Sequence, residues 1–226
     1  MIARETWAWA WPAPFVEVDV GRVYQGPETT WFGRRIELDE EPEDLERALQ
    51  IWGRHHKADK AYVLWETVDE PCIPALPAGS VVHVLAVREL DVLTVPSAVE
   101  VIEDIDRAEA VSRVANGVAD VEHDAFHQWL WAHYRAVGRG FVTTCEGVDA
   151  AAVVAVERDG IVRYQDVCTH PDFRRRGLCT GLVGTVAGML KGRQVIVAAR
   201  DTTPDRIYHR LGFERVSWVV EIGVPR

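Results

Sequence analysis

An α+β fold is the class this sequence predicts, on three observations. β-forming runs and helical spacings are interspersed along the 226 residues. The second half orders them as strand, two helices, three strands, helix, strand, helix, strand. Within it, a strand-like run at 161–169 leads through a turn and an arginine-rich loop straight into an apolar helical series. The hydrophobic fraction of 48% is ordinary for a globular chain, and the length allows one large domain or two small ones with a substantial core.

Taken in order, Trp7, Trp9 and Trp11 alternate with alanine. In an extended chain their rings share one face, as an edge strand covering a domain seam or as the aromatic wall of a cleft. Val16, Val18 and Val20 continue a period of two, and 31–38 reads as a further strand. Pro42 marks a helix start among acids; Leu45, Leu49 and Trp52 follow on one face, and Gly53 should end it. Strands are expected at 62–67 and 80–87, joined by a loop carrying Pro71, Pro74 and Pro77. Val95-Pro96-Ser97 is the best boundary, dividing an N-terminal α+β part, 1–95, from a second domain, 98–226. That domain should open with a strand at 99–105 and helices at 108–118 and 122–137. The second helix carries Phe126, Trp129, Leu130, His133 and Val137 on one face, with Gly138 placed to stop it. Residues 141–145 and 150–156 read as a hairpin, and Asp159-Gly160 as a tight turn before the run 161–169. Strands at 194–199 and 214–222 close the sheet.

Net charge is −10, with 35 acidic against 25 basic residues, which argues against nucleic acid as a partner and mildly favours a cationic one. Cys72, Cys145, Cys168 and Cys179 show no C-x-x-C spacing and are expected as free thiols. The first residues lack a continuous apolar segment of signal-peptide type, and no run has transmembrane length, so a cytoplasmic protein without a membrane partner is expected.

The chemistry concentrates after the run 161–169. A turn, His170-Pro171-Asp172, precedes Arg174-Arg175-Arg176-Gly177; then Leu178, Leu182, Val183, Val186, Met189 and Leu190 fall at helical spacing. The first turn of a helix has backbone N–H groups without internal partners and a partial positive charge. Arginines add full charges, and Gly177 lets the backbone approach a ligand, so the loop suits a pyrophosphate. Neither G-x-x-x-x-G-K-[ST] nor G-x-G-x-x-G after a strand is present. Arg174-Arg175-Arg176-Gly177-Leu178-Cys179 resembles the acetyl-CoA loop of the GNAT superfamily of acyl-CoA-dependent N-acyltransferases, in which Arg or Gln, two residues, Gly and one residue precede Gly or Ala. Cys179 departs at the last position but is still small. Further on, Tyr208-His209-Arg210-Leu211-Gly212-Phe213 resembles the segment in which the family's short helix ends, and Asp201 stands where many members have Asn. The resemblance covers about 98 to the end. Helix, strand, loop, strand in the first part also looks like the second half of a GNAT domain, so a degenerate half-domain is expected there.

The resemblance implies a mixed, mostly antiparallel sheet flanked by helices, and direct transfer of an acetyl group from acetyl-CoA to a small-molecule or peptide amine. It places the pantetheine arm beside Val167, Cys168 and Thr169, paired like an extra strand, with a backbone N–H holding the thioester oxygen. It sends the pyrophosphate to Arg174, Arg175, Arg176, Gly177, Leu178, Cys179 and Thr180, with Asp201 nearby. Tyr208 matches the family's tyrosine that assists the leaving thiolate; otherwise it is a packing tyrosine. Asp166 is the first choice of general base, with Glu122 and His123 behind it. His123 and His127 are spaced like a zinc pair, but the Glu and third ligand of such a motif are not evident, so no metal is expected. Cys168 reads as inert packing rather than an acyl carrier. The alternative to an enzyme is an acyl-CoA-binding sensor that has kept the loop and lost the chemistry.

Overall fold

The computed structural model describes residues 2, 5–6, 13–25, 34–71, 73, 76–94, 98–118 and 121–225, with the backbone alone at 121–123. The expectations placed on Trp7, Trp9 and Trp11, on 31–33 and on Val95-Pro96-Ser97 fall outside these residues. The chain forms two compact units. The first holds Met1–Val87, Ala198–Asp201 and Arg215–Arg226; the second holds Arg88–Val197 and Thr202–Glu214.

In the first unit, strands β1 (Phe15–Val18), β2 (Gly21–Tyr24), β3 (Arg35–Leu38) and β4 (Lys60–Thr67) are neighbours in that order; β11 (Phe213–Pro225) follows β4, and β5 (Val81–Leu90) follows β11. β11 runs antiparallel to β4 from Trp218↔Thr67 to Pro225↔Lys60. The contacts group residues 215–226, which the sequence reading places in the second domain, with the first unit; partners 151 to 165 residues apart leave no local signal. Val16 and Val18 lie in a strand as expected, but the chain turns at Asp19 and Val20, so 15–24 is a hairpin. Helix α1 (Leu45–His55) starts after Pro42 rather than at it: the Asp44 carboxylate accepts from the Glu46 N–H at 2.9 Å and caps it. It also continues through Gly53. Its Ala48, Ile51 and Trp52 pack into one core with Ile36, Val63, Trp65, Val220 and Ile222. β3 and β4 are parallel, so α1 is the crossover between them.

The second unit orders its strands β6-β7-β8-β9-β10: β6 (Ile102–Glu103), β7 (Gly138–Cys145), β8 (Val148–Arg158), β9 (Ile161–Thr169) and β10 (Arg193–Ala199). Its pairs are antiparallel except β9 with β10, which is parallel. Glu146-Gly147 and Asp159-Gly160 make both hairpin turns with positive φ at each residue, 56° and 78° in the first, 51° and 78° in the second, the tight turn the sequence predicts for the later pair. Helix α2 (Ile105–Ala115) begins earlier than expected and shortens the strand predicted at 99–105 to two residues. The cause is Asp104, whose carboxylate accepts from the N–H groups of Asp106 and Arg107, both at 3.0 Å. Asp104→Ala is therefore expected to lower stability by about 1 kcal/mol, measured as a drop in Tm of a few degrees.

Helix α3 (Val121–Val137) stops at Gly138 as expected, α4 (Leu178–Met189) follows the arginine loop, and α5 (Thr203–Arg210) precedes β11. α4 packs on β8 and β9, burying Leu182, Val183 and Val186. The protein is thus α+β, with mostly antiparallel strands flanked by five helices among the described residues. None of the described helices is long and apolar enough to cross a membrane.

Candidate active site

β9 is the strand that builds the site, because its pairing fails on both sides. Against β8 the register shifts between Ala152 and Val154, so Asp166 and Val167 face a single residue, Val153. That is a β-bulge, and Asp166 takes the left-handed conformation at φ 46° to make it. Against β10 the parallel ladder covers Ile161, Val162 and Arg163 and goes no further. Beyond it, Val167, Cys168 and Thr169 line a cavity of about 740 Å³; Asp166 is not in the wall but adjoins it through its neighbour Val167 and its partner Asn116.

The loop after β9 forms the next wall. Pro171–Phe173 make a 3₁₀ turn capped by the His170 side chain, whose Nδ1 accepts from the Asp172 N–H at 3.3 Å. Arg174 is held by the backbone, donating from Nε to the Thr169 carbonyl at 3.2 Å and from Nη2 to the Ala115 carbonyl at 3.1 Å. Arg175 and Gly177 are both left-handed, at φ 65° and 79°. Gly177 opens α4 with no side-chain cap, and a Cβ placed on it would meet nothing within 4 Å. The unpaired N–H groups at the start of α4 therefore open onto free space, with Leu178, Cys179 and Thr180 in the cavity wall.

Nine of the eleven binding residues expected from the sequence line this one cavity: Val167, Cys168, Thr169, Arg174, Arg175, Gly177, Leu178, Cys179 and Thr180. Arg176 does not. Its guanidinium pairs with Glu146 at 2.6 Å and lies over the Phe173 ring, a long-range partner that the three consecutive arginines conceal. Asp201 is also absent from the wall; it is exposed, with its carboxylate 3.4 Å from Arg200 Nε. Missed by sequence reasoning were Asn116, just past α2, and one face of α5: Thr203, Ile207 and Arg210. Their i, i+4, i+7 spacing was a legible signal. α5 is anchored by its Asp205, which accepts from Arg88 Nε at 2.7 Å in a largely buried pair.

Tyr208 is 4% exposed and is not part of the cavity wall; its ring meets Phe213 edge-on at 6.4 Å. Burial holds its hydroxyl proton well above the ordinary tyrosine range, and Cys179 and Cys168 add to that. Burial likewise pushes the Cys168 thiol up, and the Cys179 thiol up to about 11 against an opposing hydrogen bond to Thr169. Both remain thiols at neutral pH, which suits packing rather than nucleophilic attack. Asp166 is half-buried, accepting from Ser112 Oγ at 2.6 Å and from Asn116 Nδ2 at 3.4 Å. Burial raises its carboxyl above the usual range; the Ser112 bond, His127, Asn116 and Trp131 oppose the rise. The side chains of Glu122 and His123 lie outside the described residues. Among the described residues no group of three or more His, Cys, Asp and Glu is placed to hold a metal ion.

Comparison with known proteins agrees with this geometry. Residues 140–220 match the model of the FR47-like protein family. None of the curated proteins matches the chain. Among solved structures, a GCN5-related N-acetyltransferase from Kribbella flavida is 21% identical over 99% of this chain and 94% of its own, with a TM-score of 0.67. A conserved protein of unknown function from Staphylococcus epidermidis is 12% identical over 95% of both chains, at 0.70. A tandem GNAT protein from the clavulanic acid biosynthesis pathway is 15% identical over 85% of this chain and 75% of its own, at 0.54. At these identities the likeness is one of fold: this is a GNAT-fold protein.

Proposed function

We propose that the protein is an acetyl-CoA-dependent N-acetyltransferase acting by direct attack of an amine. The observation that carries this reading is the single cavity that joins an unpaired strand edge to a left-handed Gly177 loop and an open helix N-terminus. Its volume, about 740 Å³, is of the size that takes a cofactor-sized ligand. The N–H groups from 175 to 180, with Arg174 and Arg175, receive the pyrophosphate. The backbone at Val167, Cys168 and Thr169 pairs with the pantetheine arm and donates to the thioester oxygen. Asp166 takes the proton of the amine as the C–N bond forms and the C–S bond breaks. Tyr208 meets the departing thiolate. Its firmly held proton makes it a hydrogen-bond donor rather than a full acid, since a thiol ordinarily titrates near 8.5.

The first unit repeats the strand–helix–parallel strand crossover without the site. Between β3 and α1 it carries Asp39, Glu40, Glu41, Glu43 and Asp44 in the position where the second unit has its arginines. An acidic loop repels a pyrophosphate, which supports reading this unit as a degenerate GNAT-like half. Free thiols at Cys145, Cys168 and Cys179 support a reducing, cytoplasmic setting. One observation favours a non-catalytic acyl-CoA sensor instead: neither Tyr208 nor Asp166 is in the cavity wall.

Calorimetry with acetyl-CoA, followed by thiol release with a panel of amines, separates the readings. One acetyl-CoA per chain and turnover with at least one amine are expected. Two per chain would remove the degenerate assignment, and binding without turnover would leave the sensor.

A further inference from the structure

We infer that Ser112 and His127 form a proton-conducting pair behind Asp166, so that a proton taken up by the carboxylate leaves through α2 and α3 rather than back across the cavity. The inference rests on Asp166 being the base of the proposed transfer. Three elements converge there. β9 presents Asp166 at its bulge; α2 contributes Ser112, fully buried, and α3 contributes His127, 6% exposed. Ser112 Oγ donates to Asp166 Oδ2 at 2.6 Å and lies 3.3 Å from His127 Nε2. Asn116 Nδ2 donates to Ser112 Oγ at 3.1 Å and to Asp166 Oδ1 at 3.4 Å, fixing both acceptors. On its far side, His127 Nδ1 is 3.4 Å from Arg113 Nη1 and 3.6 Å from Glu109 Oε1, and the ring stacks on Trp131 at 5.8 Å.

Counting hydrogens gives the direction. Ser112 has one, and in the observed arrangement it goes to Asp166. The 3.3 Å contact then needs the hydrogen on His127 Nε2, as in the imidazolium after delivery and in the neutral Nε2–H tautomer whose Nδ1 accepts from Arg113; the relay starts from the other tautomer, with Nδ1–H toward Glu109. Before delivery, protonated Asp166 donates to Ser112 Oγ, and the Ser112 hydrogen points at a bare Nε2. Two hops complete the step. The carboxyl O–H breaks as a new O–H forms on Ser112, and the old Ser112 O–H breaks as Nε2–H forms. The products are a carboxylate and an imidazolium, and no further reactant is consumed. The imidazolium Nδ1–H faces Glu109, beside the Arg113–Asp124 pair, whose side chains are 38% and 36% exposed and so open to solvent.

Transfer in both directions is easiest when donor and acceptor hold protons about equally. Free Asp and His differ by about 2.6 pH units. Here burial raises Asp166 and lowers His127, so the gap narrows. The charged and titratable groups facing His127 are Glu109 and Arg113 of α2, Asp124 of α3 and Asp166 of β9. Those sensing Asp166 further are Tyr134 of α3 and Cys168 of β9. The sign follows: kcat/KM of the parent falls as pH drops through the raised Asp166 value, because a protonated carboxyl accepts nothing.

The test uses the full chain and two readouts. Carbon-13 and nitrogen-15 NMR of the parent follow the Asp166 carboxyl and the His127 ring across pH. A shared pair of inflections is expected, as for a coupled site; one independent inflection for each group overturns the relay. Thiol release with an active amine is then measured for Ser112→Ala and His127→Gln. Turnover in dilute buffer should fall about tenfold or more, with KM for acetyl-CoA unchanged and activity returning as a small buffer base is added. Variants that turn over like the parent, or that lose activity without buffer rescue, overturn it. A parent that binds acetyl-CoA yet acetylates no amine defeats the transfer reading alone, and the titration still decides the relay, as it does where the variants fail to fold.

Discussion

Tyr208→Phe is expected to lower kcat about 10²-fold while acetyl-CoA affinity stays nearly the same. The substitution removes one oxygen and keeps the ring, so the edge-on contact with Phe213 survives. A hydroxyl that donates to the departing thiolate is stronger in the transition state than in the ground state, and interactions of that kind raise turnover. Tyr208→Ala removes ring and hydroxyl together from a site 4% exposed and should also cost about 3–5 kcal/mol of stability. Measuring kcat, acetyl-CoA affinity and Tm for both variants separates the roles. A Phe variant with parental kcat leaves Tyr208 as a packing residue.

Gly177→Val should weaken acetyl-CoA binding by well over tenfold, more than about 1.4 kcal/mol. Two effects act together. At φ 79° a β-branched residue strains the backbone, and its side chain fills the open space in front of the α4 N–H groups. Gly177→Ala carries a milder form of the same strain and a single methyl in that space, so it should fall between parent and Val. Calorimetry on the three proteins, with circular dichroism to follow the helix, is the check. Parental affinity in the Val variant removes the loop from the binding site.

How much of this was legible follows from how local each signal is. The stretch from Ile161 through Leu190 reads correctly because strand, turn, arginines, Gly177 and helix are consecutive, and nine cavity-lining residues follow from it. Val20 misled the reading of the first strand: it is a β-former by composition, but the chain turns there. Asp104 was counted into a strand because a cap acts through its side chain, which periodicity does not register. Arg176 resembled its neighbours until Glu146, thirty residues upstream, was seen to hold it. Ser112 carried no signal at all; its meaning depends on Asp166, 54 residues away. His127 drew notice only for its zinc-like spacing from His123, which was set aside; its nearest described partners are Ser112 and Arg113.

The pairing of β11 with β4 bears on how the chain is made. Val220, Ile222 and Val224 belong to the core that contains Trp52 and Trp65, so the first unit cannot close until residues beyond 215 exist. During synthesis, most of the second unit emerges in between. At ribosomal speeds of about 5–20 residues per second, β4 waits on the order of ten to thirty seconds with its β11-side edge unpaired. The first unit, begun first, is thus the last to have all of its strands, because its closing segment 215–226 follows the whole of the second unit in the chain.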